Sequence, residues 1–390
     1  MQSGFDLPAP GADALAHSAR VRDLVATRIA AGGGFLSFAD YMDAVLYAPG
    51  LGYYSAGARK FGVGGDFVTA PELGSVFARC LARLVRATLR QLGGGVILEV
   101  GGGSGALAAD LLVALRDEPP ERYLLLDISG DLRERQRQTL AARVPELLPR
   151  VAWLDALPAE SLDGVLLANE VLDALPVERF RMRGGHAAQL GVQSAGGGLA
   201  WAEQPAPGPL ASAVAELQAA LGAPLPDGYT TEIGLRQPAW LRSLLGTVGR
   251  GLALCIDYGG TRRDIYHAGR SAGTLVCHYR HRQHTDPFFL PGLQDLTAWV
   301  DFSAAAGTAA AAGLEVAGYA TQAHTLLASG VLDDLPGADT PLDSDRLREL
   351  QEVQRLLMPG EMGERFKVLA LSRAFTPDFP LTVRDLRTRL

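Results

Sequence analysis

The residues best suited to chemistry lie in one stretch, Val96-Ile-Leu-Glu-Val-Gly-Gly-Gly-Ser-Gly105, where a short apolar run ends in a carboxylate and a glycine cluster. Such a run reads as a parallel strand buried on both faces. The glycines let the backbone turn tightly and lie close to a ligand before a helix starts at Ala106. Glu99 is followed by Gly101, Gly103 and Gly105 at alternate positions, whereas the dinucleotide fingerprint keeps its third glycine one residue later, where Ala106 stands. A ligand without a pyrophosphate is therefore expected. Read alone, the loop also allows a helix-packing turn that binds nothing. Gly102-Gly-Ser104-Gly-Ala106 approaches the G-x-S-x-G nucleophile elbow, but its last glycine is missing and no downstream acid and histidine stand out as triad partners.

Further acids fall at comparable places. Glu121–Asp127 reads as a second strand ending in Asp127, whose carboxylate can accept from both hydroxyls of a ribose, the alternative being a cap on the next helix. Val151–Asp155 is a third, with Asp155 placed to reach an adenine amino group, and Leu162–Ala168 a fourth, delivering Asn169-Glu-Val-Leu-Asp-Ala-Leu-Pro176. Glu99, Asp127, Asp155 and Asn169 thus stand at carboxyl ends of parallel strands, where open α/β sheets bind ligands. S-adenosylmethionine suits this set: bare backbone admits its methionine tail, and Glu99 suits its cationic part.

The elements that must position these residues alternate strand and helix, predicting an α/β, Rossmann-like, doubly wound parallel sheet. Helices are expected over 13–31, over a short segment capped by Ser37, and over 73–92, 106–115, 130–143, 236–248, 301–312 and 344–358. Later strands are expected over 251–257, 314–320 and 366–372. The domain reading is an N-terminal helical cap with a substrate-side loop (1–92), a first sheet portion (93–177), a small inserted antiparallel region (178–235) and a second portion with a long loop at 258–300 (236–390). The glycine- and aromatic-rich segment Phe61–Glu72 reads as an ordered loop serving a site.

Composition narrows the partners. A formal net charge of −7 gives no general attraction for nucleic acid or anionic lipid. Cys80, Cys255 and Cys277 form no C-x-x-C pair, which points to a reducing cytoplasm. The N-terminus lacks a secretory pattern, and the apolar stretch Phe302–Leu314 is too short to span a bilayer. Abundant Ala and Gly, with Lys60 and Lys367 the only lysines, suggest a bacterial source.

Six stretches stand together: Gly65-Asp-Phe-Val-Thr-Ala-Pro-Glu72, Leu98-Glu-Val-Gly-Gly-Gly-Ser-Gly105, Asn169–Pro176, Ile256-Asp-Tyr-Gly259, Pro291-Gly-Leu-Gln-Asp-Leu-Thr297 and Val300-Asp-Phe302. In that order the chain resembles the MidA/NDUFAF7 family of class I S-adenosylmethionine-dependent methyltransferases, from about residue 13 to 373. The resemblance implies that fold, S-adenosyl-L-methionine as cofactor with S-adenosyl-L-homocysteine as product, and, from mitochondrial members, arginine methylation of a protein tied to assembly of respiratory complex I. The acid after the second strand is Asp127 where many relatives carry Glu, which keeps the charge and shortens the reach.

If the acceptor is an arginine, carboxylates must orient its guanidinium and localise its electrons. Glu72, Glu170, Asp173, Glu232 and Asp257 are candidates, with Glu170, Glu72 and Asp257 taken as the catalytic set; a solvated or capping role is the alternative for each. The cofactor set is Glu99, Gly101, Gly103, Gly105, Asp127, Asp155 and Asn169. In Cys277-His-Tyr-Arg-His-Arg-Gln-His284, His278, His281 and His284 would share a side only on a helix, and Arg280 and Arg282 would crowd a cation. A basic lid or substrate loop is preferred, with no metal. Asp295 and Asp301 either anchor that loop or serve as caps or salt-bridge partners. A protein partner is expected, without nucleic acid or membrane, and a homodimer is allowed. Two rivals are an idle assembly chaperone that keeps the cofactor fold and a nicotinamide-dependent oxidoreductase.

Overall fold

Apolar runs that end in glycine or a polar turn become one large sheet in the computed structural model, which describes residues 7–56, 69–333, 335 and 343–390. Its main strands are β1 (Val96–Val100), β2 (Arg122–Leu126), β3 (Val151–Leu154), β4 (Leu162–Asn169), β5 (Val248–Gly260), β6 (Glu315–Thr321) and β7 (Phe366–Arg373). They stand in the order β3-β2-β1-β4-β5-β7-β6. β7 runs antiparallel to both neighbours, and the other pairings are parallel. Val300–Asp301 adds a short parallel pairing beside Gly259–Gly260. Because β1 is flanked by β2 on one side and β4 on the other, the winding reverses there, and sheets of this kind bind ligands beyond the carboxyl ends of such strands.

The described residues fall into two compact units. One takes the described parts of Val68–Leu172, Ala239–Gly260 and Val300–Leu390, and contains this sheet. Phe77, Leu81 and Val85 of the helix Val76–Leu92 share its core with Ile97, Val165 and Leu254. That helix, assigned from sequence to the cap over 1–92, thus belongs with the sheet, because it buries an apolar face there. It starts later than residue 73. A short helix, Ala70–Leu73, precedes it, and the Glu352 carboxylate accepts from the backbone N–H of Val76 at 2.7 Å, capping the longer helix from a distant segment.

The other unit takes the described parts of Met1–Phe67, Asp173–Pro238 and Thr261–Trp299. Its helix Ala12–Ala31 buries Ser18, Val21, Val25 and Ile29 along one stripe, and Ser37 caps the helix Phe38–Tyr47 by accepting from Asp40 N at 3.1 Å. Glu178–Arg183, His186–Ala195, Gly198–Pro205 and Thr230–Ile233 pair antiparallel, as read for the insertion. A helix and a small sheet were missed. Gly208–Leu221 is a helix whose Leu210, Val214 and Leu217 pack under the sheet residues Phe180 and Met182. The segment read as a loop over 258–300 holds a three-stranded antiparallel sheet of Val276–Tyr279, Arg282–His284 and Asp295–Thr297.

Candidate active site

The glycine loop after β1 is shaped by backbone conformations that side chains resist. Gly101, Gly103 and Gly105 have φ of 71°, 53° and 84°, in the left-handed region. A Cβ on Gly101 would lie 2.9 Å from Val171 Cγ2, and one on Gly105 3.0 Å from Gln136 Cα. The alternate spacing in the sequence therefore marks positions where the main chain turns, and at Gly101 and Gly105 it is also closely packed. Gly101 N donates to Leu126 O at 2.9 Å, tying the loop to the end of β2.

The cofactor-side acids differ in surroundings. Glu99 is buried, accepts from the Tyr123 hydroxyl at 2.6 Å and has its carboxyl pushed up to about 7, chiefly by burial and further by nearby Asp127, with the Tyr123 bond opposing. Asp127 is also buried. Its Oδ1 accepts from Ser129 N at 2.9 Å and its Oδ2 from Gln136 Nε2 at 3.0 Å, and an ionised carboxylate offers about four acceptor sites. Beside it Ile128 is 66% exposed, an apolar surface next to the buried acid. Asp155 is different again: its side chain is 93% exposed and pairs with Arg133, which also donates to the backbone oxygens of Asp127 and Leu154.

The turn after β4 holds the acceptor-side candidates. Asn169 Nδ2 donates to Glu170 Oε1 at 3.3 Å, while Asn169 Oδ1 is buried with no hydrogen-bond partner among the described residues. Glu170 has φ of 53°, a strained conformation for a residue with a Cβ, fixed by its N–H bond to Ile256 O at 2.8 Å. Its carboxylate also accepts from Ala70 N at 3.4 Å. Glu72 lies in the same short helix as Ala70 and accepts from the hydroxyl of Ser104 in the glycine loop. Asp257 is fully buried, and its two oxygens accept from the backbone N–H groups of Val171, Leu172 and Tyr258 at 3.2, 2.9 and 2.9 Å. That carboxylate braces the turn carrying Glu170.

Glu72, Glu99, Asn169, Glu170, Asp127, Asp155, Asp257 and the glycines all belong to the large-sheet unit. Asp173 and Glu232 belong to the other, where buried Glu232 pairs with Arg179 at 3.1 Å and accepts from Thr274 N at 2.7 Å. Asp301 caps the helix Phe302–Ala311 through Ala304 N, and Asp295 accepts from the Tyr54 hydroxyl at 2.9 Å. The histidine segment is a hairpin: Cys277 faces His284 and His278 faces Gln283 across it, so His278 and His284 point to opposite faces. Among the described residues no group of three or more His, Cys, Asp or Glu is arranged for a metal ion. Residues 61–68, which include the start of the Gly65–Glu72 motif, lie outside the described residues.

Sequence reasoning missed Gln136, Tyr123 and Arg133, each hydrogen-bonded to a predicted site residue. Only their helical or strand register could have shown them, since each sits in an element with no motif. The cradle of bare backbone, the buried strand-end acid and the orphaned amide oxygen of Asn169 fit an adenosyl ligand bearing a cation.

Comparison with known proteins agrees. Residues 78–320 match the family model described as "Putative S-adenosyl-L-methionine-dependent methyltransferase". The chain is similar to a protein from Burkholderia thailandensis solved as a crystal structure bound to S-adenosyl-homocysteine, at 43% identity and a TM-score of 0.90, covering 97% of this chain and 98% of that one. A native crystal structure of a protein from the same organism gives 43% identity and a TM-score of 0.87 over the same shares. Among curated proteins, the Drosophila melanogaster protein named protein arginine methyltransferase NDUFAF7 homolog, mitochondrial, is 28% identical over 374 residues, 87% of this chain and 82% of that protein. The human protein named protein arginine methyltransferase NDUFAF7, mitochondrial, is 26% identical over 377 residues, 87% of this chain and 80% of that protein. No described helix is long and apolar enough to cross a membrane. With its reversed winding at β1, its glycine cradle and these matches, the chain belongs to the MidA/NDUFAF7 family of S-adenosyl-L-methionine-dependent methyltransferases.

Proposed function

We propose that this methyltransferase acts on an arginine side chain of a protein client, in the family setting a subunit of respiratory complex I. When bound, S-adenosyl-L-methionine supplies a methyl group on a sulfonium and leaves as the neutral thioether S-adenosyl-L-homocysteine. A guanidinium is planar, cationic and a poor nucleophile, so the protein's task is to localise its electron pair on one nitrogen and hold it in line. Glu170 and Glu72 serve that task by charge-assisted bonds to the other nitrogens, and one of them takes up the proton that the methylated nitrogen loses.

One observation carries this reading. Glu170 keeps a strained left-handed backbone, and its carboxylate is bonded to the N–H of Ala70, in the same short helix as Glu72, which is itself bonded to Ser104 of the glycine loop. Two carboxylates thus adjoin the cofactor loop within one unit, and strain of this kind persists where surrounding structure imposes it for a purpose. The names of the curated relatives support arginine as the acceptor. Asp257, with its oxygens on three backbone N–H groups, acts by holding the turn in place. Asp127 and Asp155 are assigned to the ribose and adenine ends, and Asn169 and Glu99 to the methionine end.

The test is to incubate bacterial lysate with methyl-tritiated cofactor and enzyme, then hydrolyse the labelled proteins and separate the amino acids. Label in methylarginine is expected, with Glu170→Gln slowing transfer about a hundredfold while cofactor affinity stays within about threefold. Label in another amino acid, or full transfer by Glu170→Gln, would overturn the reading. Cofactor binding without any label would favour the idle chaperone.

A further inference from the structure

Gln136 is the one polar side chain among the buried residues of helix Gly130–Arg143, lying at helical spacing between Leu132 and Leu140. It is wholly inaccessible. A buried carboxamide is costly unless hydrogen-bonded, and here three elements supply partners. Oε1 accepts from Trp153 Nε1 of β3 at 2.9 Å, and Nε2 donates to Gly103 O of the glycine loop at 3.1 Å and to Asp127 Oδ2 after β2 at 3.0 Å. An indole N–H only donates, so Trp153 fixes which end of the carboxamide faces Asp127. The space around it is closed, since a Cβ on Gly102 would lie 3.3 Å from Gln136 Nε2 and one on Gly105 3.0 Å from its Cα.

We propose that Gln136 is a positioning residue for the cofactor: it locks the Asp127 carboxylate and the glycine-loop carbonyl in one frame, so that Asp127 selects a ligand with two adjacent ribose hydroxyls. This deepens the assignment of Asp127 to the ribose and rests on it. Trp153 sets the amide, the amide sets the plane of the carboxylate, and a carboxylate held in that plane accepts best from a diol. Without the amide donor the carboxylate loses one of the bonds that, with that of Ser129 N, set its plane, and with it part of its preference for two hydroxyls over none.

Binding of S-adenosyl-L-homocysteine, measured by calorimetry, tests this without turnover. Gln136→Glu keeps the shape and puts a second carboxylate against Asp127. Near pH 8 the dissociation constant should rise about ten- to a hundredfold over the wild type, and the ratio should shrink near pH 5.5, where one shared proton restores a donor. The charged groups around this pair are Glu99 from β1, Asp155 after β3, and Arg133 and Arg137 from the same helix, with Arg137 stacked 4.7 Å over the Trp153 ring. They are common to both proteins, so the ratio of mutant to wild type isolates position 136. Gln136→Met serves as the second variant. It should bind the 2′,3′-dideoxy analogue about as well as the wild type does while losing affinity for the parent ligand.

Equal weakening of parent and dideoxy ligand in Gln136→Met would mean packing alone and overturn the inference. So would wild-type affinity in both Gln136 variants while Asp127→Ala binds poorly, which would leave the Asp127 assignment standing. If Asp127→Ala binds normally, the ribose assignment itself falls, and this inference with it.

Discussion

Asp127 after β2 and Asp257 near the end of β5 are the same residue type at matching places in one sheet, and both are buried. Their partners differ in kind. Asp127 Oδ1 accepts from a turn N–H and Oδ2 from an amide that another residue orients, whereas the oxygens of Asp257 accept from three backbone N–H groups, two in the turn after β4 and one of its own neighbour. A strand-end acid held by backbone donors of a turn braces that turn, whereas one held in part by a side-chain amide is the better candidate to face a ligand.

The largest effect expected from this contrast is at Asp257. Asp257→Asn leaves one oxygen for three backbone donors and should destabilise the protein by about 3 kcal/mol in denaturant unfolding, whereas Asp127→Asn should cost well under half of that. Similar losses at both positions would erase the distinction between brace and ligand acid. The next effect is at the residue Asp257 supports. Since φ at Glu170 suits glycine, Glu170→Gly should be more stable than Glu170→Ala by about 1 kcal/mol, and both should be inactive. An alanine variant as stable as the glycine variant would mean that the turn is not strained.

A pH measurement sharpens the ligand side. The Glu99 carboxyl rises on folding from its ordinary 4.5 to about 7, so the native state holds a proton that the unfolded chain has lost over that window. Stability from this group is full below pH 4.5 and is lost as pH rises through about 7, while affinity for a cationic ligand should rise over the same interval. Glu99→Gln should flatten both slopes, and an unchanged stability profile would remove the linkage. The smallest effect is at Asp155. Its exposed pair with Arg133 predicts a stability change within about 0.5 kcal/mol for Asp155→Ala, against a loss of ligand affinity of about three- to tenfold. Unchanged affinity would take Asp155 out of the adenine end.

The sheet was legible because buried parallel strands are apolar runs: β1, β4 and β5 all lie within or around the predicted ones, and the acids follow from where those runs stop. Gly208–Leu221 was not legible. Its first turn carries Pro209 after Pro205 and Pro207, so the start of a helix looked like a linker. The hairpin at 276–284 was hidden for a different reason. Its two-residue turn places Arg280 and His281 at φ of 47° and 61°, where the usual signal is Asn-Gly. Gln136 escaped because a polar residue on a polar helix gives no sign of facing inward. Candidate residues could therefore be named from sequence where an apolar run stops at an acid, and not where a buried polar partner such as Gln136 sits on a helix without a motif.

The antiparallel β7 has one more consequence, for how the protein is made. It lies between β5 and β6 in the sheet yet comes last of the three in the chain. Until Phe366–Arg373 has left the ribosome, β5 from Gly251 to Tyr258 faces solvent along an unpaired edge, and β6 has no strand beside it. The sheet must close late and through distant pairing, a slow step that exposes a sticky border to other nascent chains. Protease digestion of ribosome-arrested chains carrying a C-terminal linker should show β5 becoming resistant only after residue 373 emerges.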